Sequence, residues 1–388
     1  MTKTLAMIRN RGTRKPSRSF FISMKLSSLP PIALVATFFG HREDSARRLG
    51  ANGPSTGSGR WAKPNRAHLG AEHRSALRVW LRLGRAVIGL VGVFAALFAV
   101  MGADKPVTRR PPIVGIAYIR LKTDNLAVAR KFYEDTLGFQ EMVAADKPTA
   151  DPALTYFKVN DHQYIELSPT LSSPTEDRLS DIAFETTDAR ALRSYLAANG
   201  VTVPDTLSPG LDGNLSFMVK DPDGHSVEFV EYLPESLHRR SFGKFLPETR
   251  ISQHMIHVGV TVLDRAAADR FYKDVLGFQL LWYGGMSDDR LDWVSMRVPE
   301  GSDWLEYMLN VRNPTPRTLG VMHHLALGVP SVATAYKTAV DRGYKAEQPK
   351  IGRDGKWQLN LYDPNYTRVE LMEPKPVRKP CCSPILSQ

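Results

Sequence analysis

Along residues 113–374 the spacing of apolar side chains switches repeatedly, from every second position to every third or fourth and back again. The first spacing belongs to a half-buried strand and the second to an amphipathic helix. The strand-to-helix switch occurs four times, over 116–138, 181–200, 256–277 and 324–343. An Asp or Ser is expected as N-cap, with Asp188, Asp264 and Ser331 in the last three, and Gly138, Gly200, Gly277 and Gly343 are the stops. Short alternating runs follow each helix: "LTYFKV" and "YIEL", "LSFMVK" and "SVEFVEY", "DWVSMRV" and "WLEYML", "WQLNLY" and "RVELME". The pattern predicts an α+β chain of four βαβββ units, grouped as two modules over 113–233 and 254–374, with a linker at 234–253 and a tail at 375–388. One short sheet leaves a face uncovered, so the units are expected to close on one another in pairs.

A longer repeat lies on top of the short one. Residues 257–279, "HVGVTVLDRAAADRFYKDVLGFQ", align without gaps to residues 118–140, "YIRLKTDNLAVARKFYEDTLGFQ", with nine identities. The two stretches begin differently, with His257 in one and Tyr118 in the other.

Charge separates the N-terminal part from the rest. The net charge is +11, but residues 1–104 hold 17 Lys/Arg against 4 Asp/Glu, which leaves residues 105–388 slightly acidic. The modules therefore lack the basic footprint of a nucleic-acid binder, and no nucleic-acid partner is expected. Residues 1–75, rich in Arg, Ser, Gly and Pro, are expected to be disordered. Leading into and within 76–104, a basic flank of Arg74, Arg78, Arg82 and Arg85 precedes eighteen uncharged residues, Ala86–Ala103. That is the pattern of a secretory signal peptide or an N-terminal transmembrane anchor, so the modules are expected outside the cytoplasm (periplasmic if bacterial) or membrane-attached. Either translation begins near Val79 and the upstream sequence is an extension, or a long basic tail precedes an anchor; the positive-inside rule fits the second. Cysteine occurs only as Cys381 and Cys382, so neither a disulfide framework nor a cysteine metal knuckle is available, and any metal must be held by His and carboxylates.

The combination of strand, capped helix, "FYxDxLGF" and a late "DPDGxxVEF" resembles the vicinal oxygen chelate superfamily, over about 260 of the 388 residues. That superfamily includes glyoxalase I, the type I extradiol dioxygenases, 4-hydroxyphenylpyruvate dioxygenase and the bleomycin- and fosfomycin-resistance proteins. The resemblance implies metal ligands on the first and last strands of each unit, facing the inside of a cup-shaped sheet. At those positions the second module carries His257, Glu306, His324 and Glu370, and the first carries Tyr118, Glu166, Asp181 and Glu228. Strand alternation is consistent with this. His257 shares a face with Gly259 and Thr261, and His324 with Ala326 and Gly328, so small residues leave room above each imidazole. His323 falls on the opposite, aliphatic face with Leu325 and Leu327 and is read as a core-edge histidine, with a candidate acid–base role alongside His254. The first module is read as a copy that has lost its site and is kept for structure.

Two imidazoles and a carboxylate suit ferrous iron, whereas a second carboxylate suits zinc, nickel, cobalt or manganese. A metal-free first module beside a loaded second one is similar to the extradiol and hydroxyphenylpyruvate dioxygenases, which favours iron and an oxygenase acting on a small aromatic or oxo-acid substrate. Two features differ. Extradiol enzymes carry a His and a Tyr shortly before the last ligand, and here Tyr362 and Tyr366 stand at other distances from Glu370. Glu306 is similar to the second glutamate of glyoxalase I, where one carboxylate moves a proton, which makes a lyase or isomerase the alternative and Glu306 a candidate catalytic residue. A metal-free binding role, as in bleomycin resistance, would leave the ligand set unexplained. Trp282, Tyr283, Trp293, Trp304 and Trp357 are candidates for lining an apolar pocket. The oligomeric state is left open.

Overall fold

A computed structural model describes residues 109–142 and 154–386 apart from 208 and 211. The basic segment 1–75 and the apolar run within 76–104 lie outside the described residues. Among the described residues, no helix is long and apolar enough to cross a membrane.

The chain is α+β, with one curled sheet in each of two tandem modules. The first sheet contains β1 (Ile113–Lys122), β2 (Gln140–Glu141), β3 (Thr155–Lys158), β4 (Tyr164–Ser168), β5 (Leu179–Thr186), β6 (Leu215–Lys220) and β7 (Ser226–Glu231). The second contains β8 (His254–Thr261), β9 (Gln279–Gly284), β10 (Trp293–Arg297), β11 (Trp304–Met308), β12 (His324–Gly328), β13 (Lys350–Ile351), β14 (Trp357–Tyr362) and β15 (Arg368–Met372). Their orders are β2-β3-β4-β1-β5-β7-β6 and β13-β14-β15-β12-β8-β11-β10-β9. The second unit departs from the expected three trailing strands. Among its described residues one of them shrinks to a single bridge between Pro209 and Leu215, where Pro can donate no ladder hydrogen bond.

Asp188, Asp264 and Ser331 cap their helices as expected, while Asn125 takes that role in the first unit, its side chain accepting from the Val128 amide. The helices bearing the "FYxDxLGF" motif widen to π-type winding over Phe132–Thr136 and Asp269–Val275. These wider turns present Tyr133 and Tyr272 to the opposite module. The Tyr133 hydroxyl donates to Asp363 Oδ2 at 3.2 Å, and the Tyr272 hydroxyl donates to Asp221 Oδ2 at 2.9 Å. Each link joins the motif helix of one module to the "DP" turn of the other. One apolar core runs through both modules, with Phe184 of the first edge-on to Phe278 of the second.

Two chain segments follow the last strand of each sheet. The linker, with a helical turn at Leu237–Arg240, packs Leu237 against Tyr118, Tyr156, Tyr164 and Tyr232, and His238 stacks on Tyr164. It thereby fills the cup of the first sheet. The tail instead runs along β9, through Ser383 to Tyr283 and Leu386 to Leu281, with Cys381 and Cys382 joined as a vicinal disulfide.

Candidate metal centre

Four neighbouring strands build the site. Along β8, His257 and Gly259 point to one face, while Val258 and Val260 are fully buried on the other. Parallel β11 sets Glu306 opposite Gly259 and Trp304 opposite His257. Antiparallel β12 sets His324 opposite Gly259 and Ala326 opposite His257, and β15 sets Glu370 opposite Ala326. Side chains from four strands therefore converge.

The Nε2 atoms of His257 and His324 lie 3.0 Å apart. Glu306 Oε2 stands 3.9 Å from the first and 3.5 Å from the second, and Glu370 Oε2 stands 3.7 Å from both. Glycine at 259 is required by this approach, since a Cβ there would lie 2.1 Å from His324 Cε1.

The donor set fits a divalent cation. His324 Nδ1 donates to the Met322 carbonyl at 2.8 Å, which fixes the tautomer and leaves Nε2 as a lone pair aimed at the site. Burial pushes both imidazoles well below the ordinary histidine range, so both are neutral, the form that binds metals. Burial also pushes Glu370 up to about 7, a carboxyl short of counter-charge. Arg368, two residues before Glu370 and so on the same strand face, was not anticipated from sequence. Its Nη2 lies 2.7 Å from His324 Nε2 and 3.9 Å from Glu370 Oε2, so the guanidinium has a carboxylate within reach when it leaves the imidazole.

Above the donors is a cavity of about 410 Å³. Trp282, Trp293 and Trp304 line it, whereas Tyr283 does not, being 37% exposed, and Trp357 packs on the core. Lys356, Gln358 and Asn360 present a polar face from β14 and the turn before it, a period-two signal that was legible in "KWQLN" but overlooked. No His or Tyr side chain lines the cavity among the described residues.

The two proposed acid–base histidines are placed elsewhere. His323 is not a strand residue but the C-cap of the helix Pro316–Met322, buried between Thr261 Oγ1 (2.9 Å) and Asp177 Oδ2 (2.8 Å). A helix running up to the strand, rather than an early strand start, sets its direction. His254 is paired with Asp303 at 2.6 Å. Tyr362 and Tyr366 stack on each other.

The first module has the same register with other side chains. Tyr118 lies opposite Ala183, Asp181 and Glu166 lie opposite Arg120, and Glu228 lies opposite Ala183. Arg120, which replaces Gly259, reaches Glu166 at 2.5 Å, Asp181 at 2.9 Å and Glu228 at 3.6 Å. The carboxylates that would have held a metal hold a guanidinium instead.

Comparison with known proteins bears on both modules. The model of the Glyoxalase/Bleomycin resistance protein/Dioxygenase superfamily matches residues 115–229 and 254–371. An iron-dependent extradiol dioxygenase of Rhodococcus jostii (strain RHA1) is 30% identical over 179 residues, 43% of this chain. The chain spans 55% of the length of that relative. The 2,3-dioxygenase LapB from Pseudomonas sp. KL28 superposes on 70% of this chain and 97% of its own, with 17% identity and a TM-score of 0.52. The Mn(II)-bound glyoxalase from Novosphingobium aromaticivorans covers 68% of this chain and 83% of its own, with 18% identity and a TM-score of 0.52. At these identities the solved structures establish a shared fold.

Proposed function

We propose, from the premise that this chain belongs to the Glyoxalase/Bleomycin resistance protein/Dioxygenase superfamily, that its second module is a metal-dependent dioxygenase acting on a small aromatic or oxo-acid substrate. The observation that carries this reading is the grouping of His257, His324 and Glu306, with Glu370 Oε2 3.7 Å from both imidazoles, behind a tryptophan-lined cavity that the two glutamates reach. Those four side chains would hold a divalent ion, with iron favoured. The ion would chelate two adjacent substrate oxygens and, if ferrous, activate dioxygen.

The chain's own residues do the remainder. The indoles of Trp282, Trp293 and Trp304 wall the substrate off from water, and in a low-dielectric site each charged contact is stronger. Glu306, whose side chain is more exposed than that of Glu370, is the ligand that could leave the ion and accept a proton from a substrate hydroxyl. Anaerobic reconstitution with ferrous iron, followed by oxygen-uptake assays over catechols and 2-oxo acids, tests the reading. Uptake above the metal-free blank is expected, and silence across the panel with iron bound would overturn it.

A glyoxalase-type lyase with a redox-inert ion is the second reading. Glu306 and Glu370 both stand within 4 Å of the imidazoles, a two-glutamate set, and neither His nor Tyr lines the cavity among the described residues. On that reading manganese, nickel, cobalt or zinc sustains activity, and Glu306→Gln abolishes it with metal retained. For location, the run Ala86–Ala103 supports export or membrane tethering; recovery of all the native protein in the cytosolic fraction would refute it.

A further inference from the structure

Lys356 is 97% buried, beside the metal centre, and lacks a partner: its relative exposure is 3%, and its ammonium forms no hydrogen bond or ion pair among the described residues. Nζ lies 4.9 Å from the centroid of the Trp304 ring, and Asp354, Glu370 and Glu306 act on it through their charge without a hydrogen bond. Lys356 lines the cavity, so its three unused donors are available to a group bound there, and an ammonium largely withdrawn from bulk water is stabilised by whatever supplies its counter-charge. The nearest acid in its own turn, Asp354, spends Oδ1 on the Lys356 amide at 3.2 Å and on Gln358 Nε2 at 3.3 Å.

Other polar atoms around the same cavity lack partners as well. Arg368 Nε and the side-chain oxygens of Asn310 and Asn360 are buried without partners, and all three residues line the cavity with Lys356. A site for a purely apolar molecule would not gather such groups. Glu306, Glu370 and Asp354 also line it; the first two, as ligands, would be neutralised by the cation, which leaves the field of Asp354 alone to act on an ammonium whose hydrogen-bond donors stay unused.

We infer that the substrate is anionic, with a carboxylate or a group of like charge on the end remote from its chelating oxygens, and that Lys356 Nζ binds that group while Trp304 flanks the ring. This rests on the proposed reading of the second module and narrows its substrate class to charged aromatic acids.

The test compares protocatechuate with its neutral carboxamide, binding to zinc-loaded protein under anaerobic conditions, read by quenching of tryptophan fluorescence. The carboxylate is expected to bind roughly 10- to 100-fold more tightly, the range for a hydrogen bond to a charged group. Lys356→Met, which keeps the buried stem, should erase the difference with zinc content unchanged, and Lys356→Arg should restore part of it. Equal affinity of the two ligands for the wild-type protein overturns the inference, as does a Lys356→Met variant that weakens both alike. If that variant fails to fold, the wild-type comparison decides alone. Oxygen uptake on the iron-loaded protein is scored separately. Lys356-dependent carboxylate binding without uptake would sink the dioxygenase reading and leave the charge preference standing, and uptake indifferent to the carboxylate would do the reverse.

Discussion

The two modules solve one electrostatic problem in two ways. Each brings acidic side chains together at the middle of a curled sheet, where burial penalises charge. In the first, Arg120 is supplied from β1 itself and binds Glu166, Asp181 and Glu228, and burial still pushes Asp181 up to about 6. In the second, Gly259 leaves that space open and two neutral imidazoles face two carboxylates. The cups differ in the same sense, one filled by Leu237 and His238 of the linker, the other retaining a cavity of about 410 Å³. The difference teaches that loss of a metal site need not leave buried acids bare, because one long basic side chain can replace the ion.

The largest contrast should come from removing, in each module, one side chain at the ligand positions. His257→Ala is expected to lower metal affinity by more than about 100-fold and abolish activity, while Glu228→Ala leaves bound metal at its wild-type level. Elemental analysis after dialysis reads both, and loss of metal from the Glu228 variant would break the contrast. Next comes Arg120→Met, which leaves three buried carboxylates uncompensated and is expected to cost about 3–5 kcal/mol in chemical denaturation while metal content holds. A smaller change follows from Gly259→Ala. Its Cβ must displace the His324 ring, for about 1–3 kcal/mol of stability and roughly a tenfold loss in metal affinity, seen by competition with a chelator.

The smallest effect concerns the boundary between modules, where Asp303 accepts from the Ile116 amide and Gln163 of the first module and from His254 of the second. The Asp303 hydrogen bond raises the His254 pKa. That contribution is fully present below the unfolded value of about 6.5 and is lost as pH rises through the folded one. With the side chain 43% exposed, solvent screening holds it below about 1 kcal/mol. The unfolding midpoint should fall slightly above neutrality in the wild type and respond less in His254→Gln.

Much of this was legible in the chain. The fourfold change of apolar period identified the α+β fold, and alternation along "HVGVT" and "HLALG" put the imidazoles beside small residues. Arg120 was also readable, two positions after Tyr118 where the other copy has Gly259, but a guanidinium answering three acids from three other strands requires their register. His323 and the single bridge at Pro209, among the described residues, were obscured for a local reason. A helix ending at Met322 and a donor lost at proline both override the alternation around them.

The reciprocal hydroxyl–carboxylate links have an evolutionary consequence. Asp221 of the half without imidazoles secures Tyr272 of the half that has them, and Asp363 returns the favour to Tyr133. Neither half can then be trimmed away without cost, because a gene cut to one module would encode a buried tyrosine whose hydroxyl has lost its carboxylate.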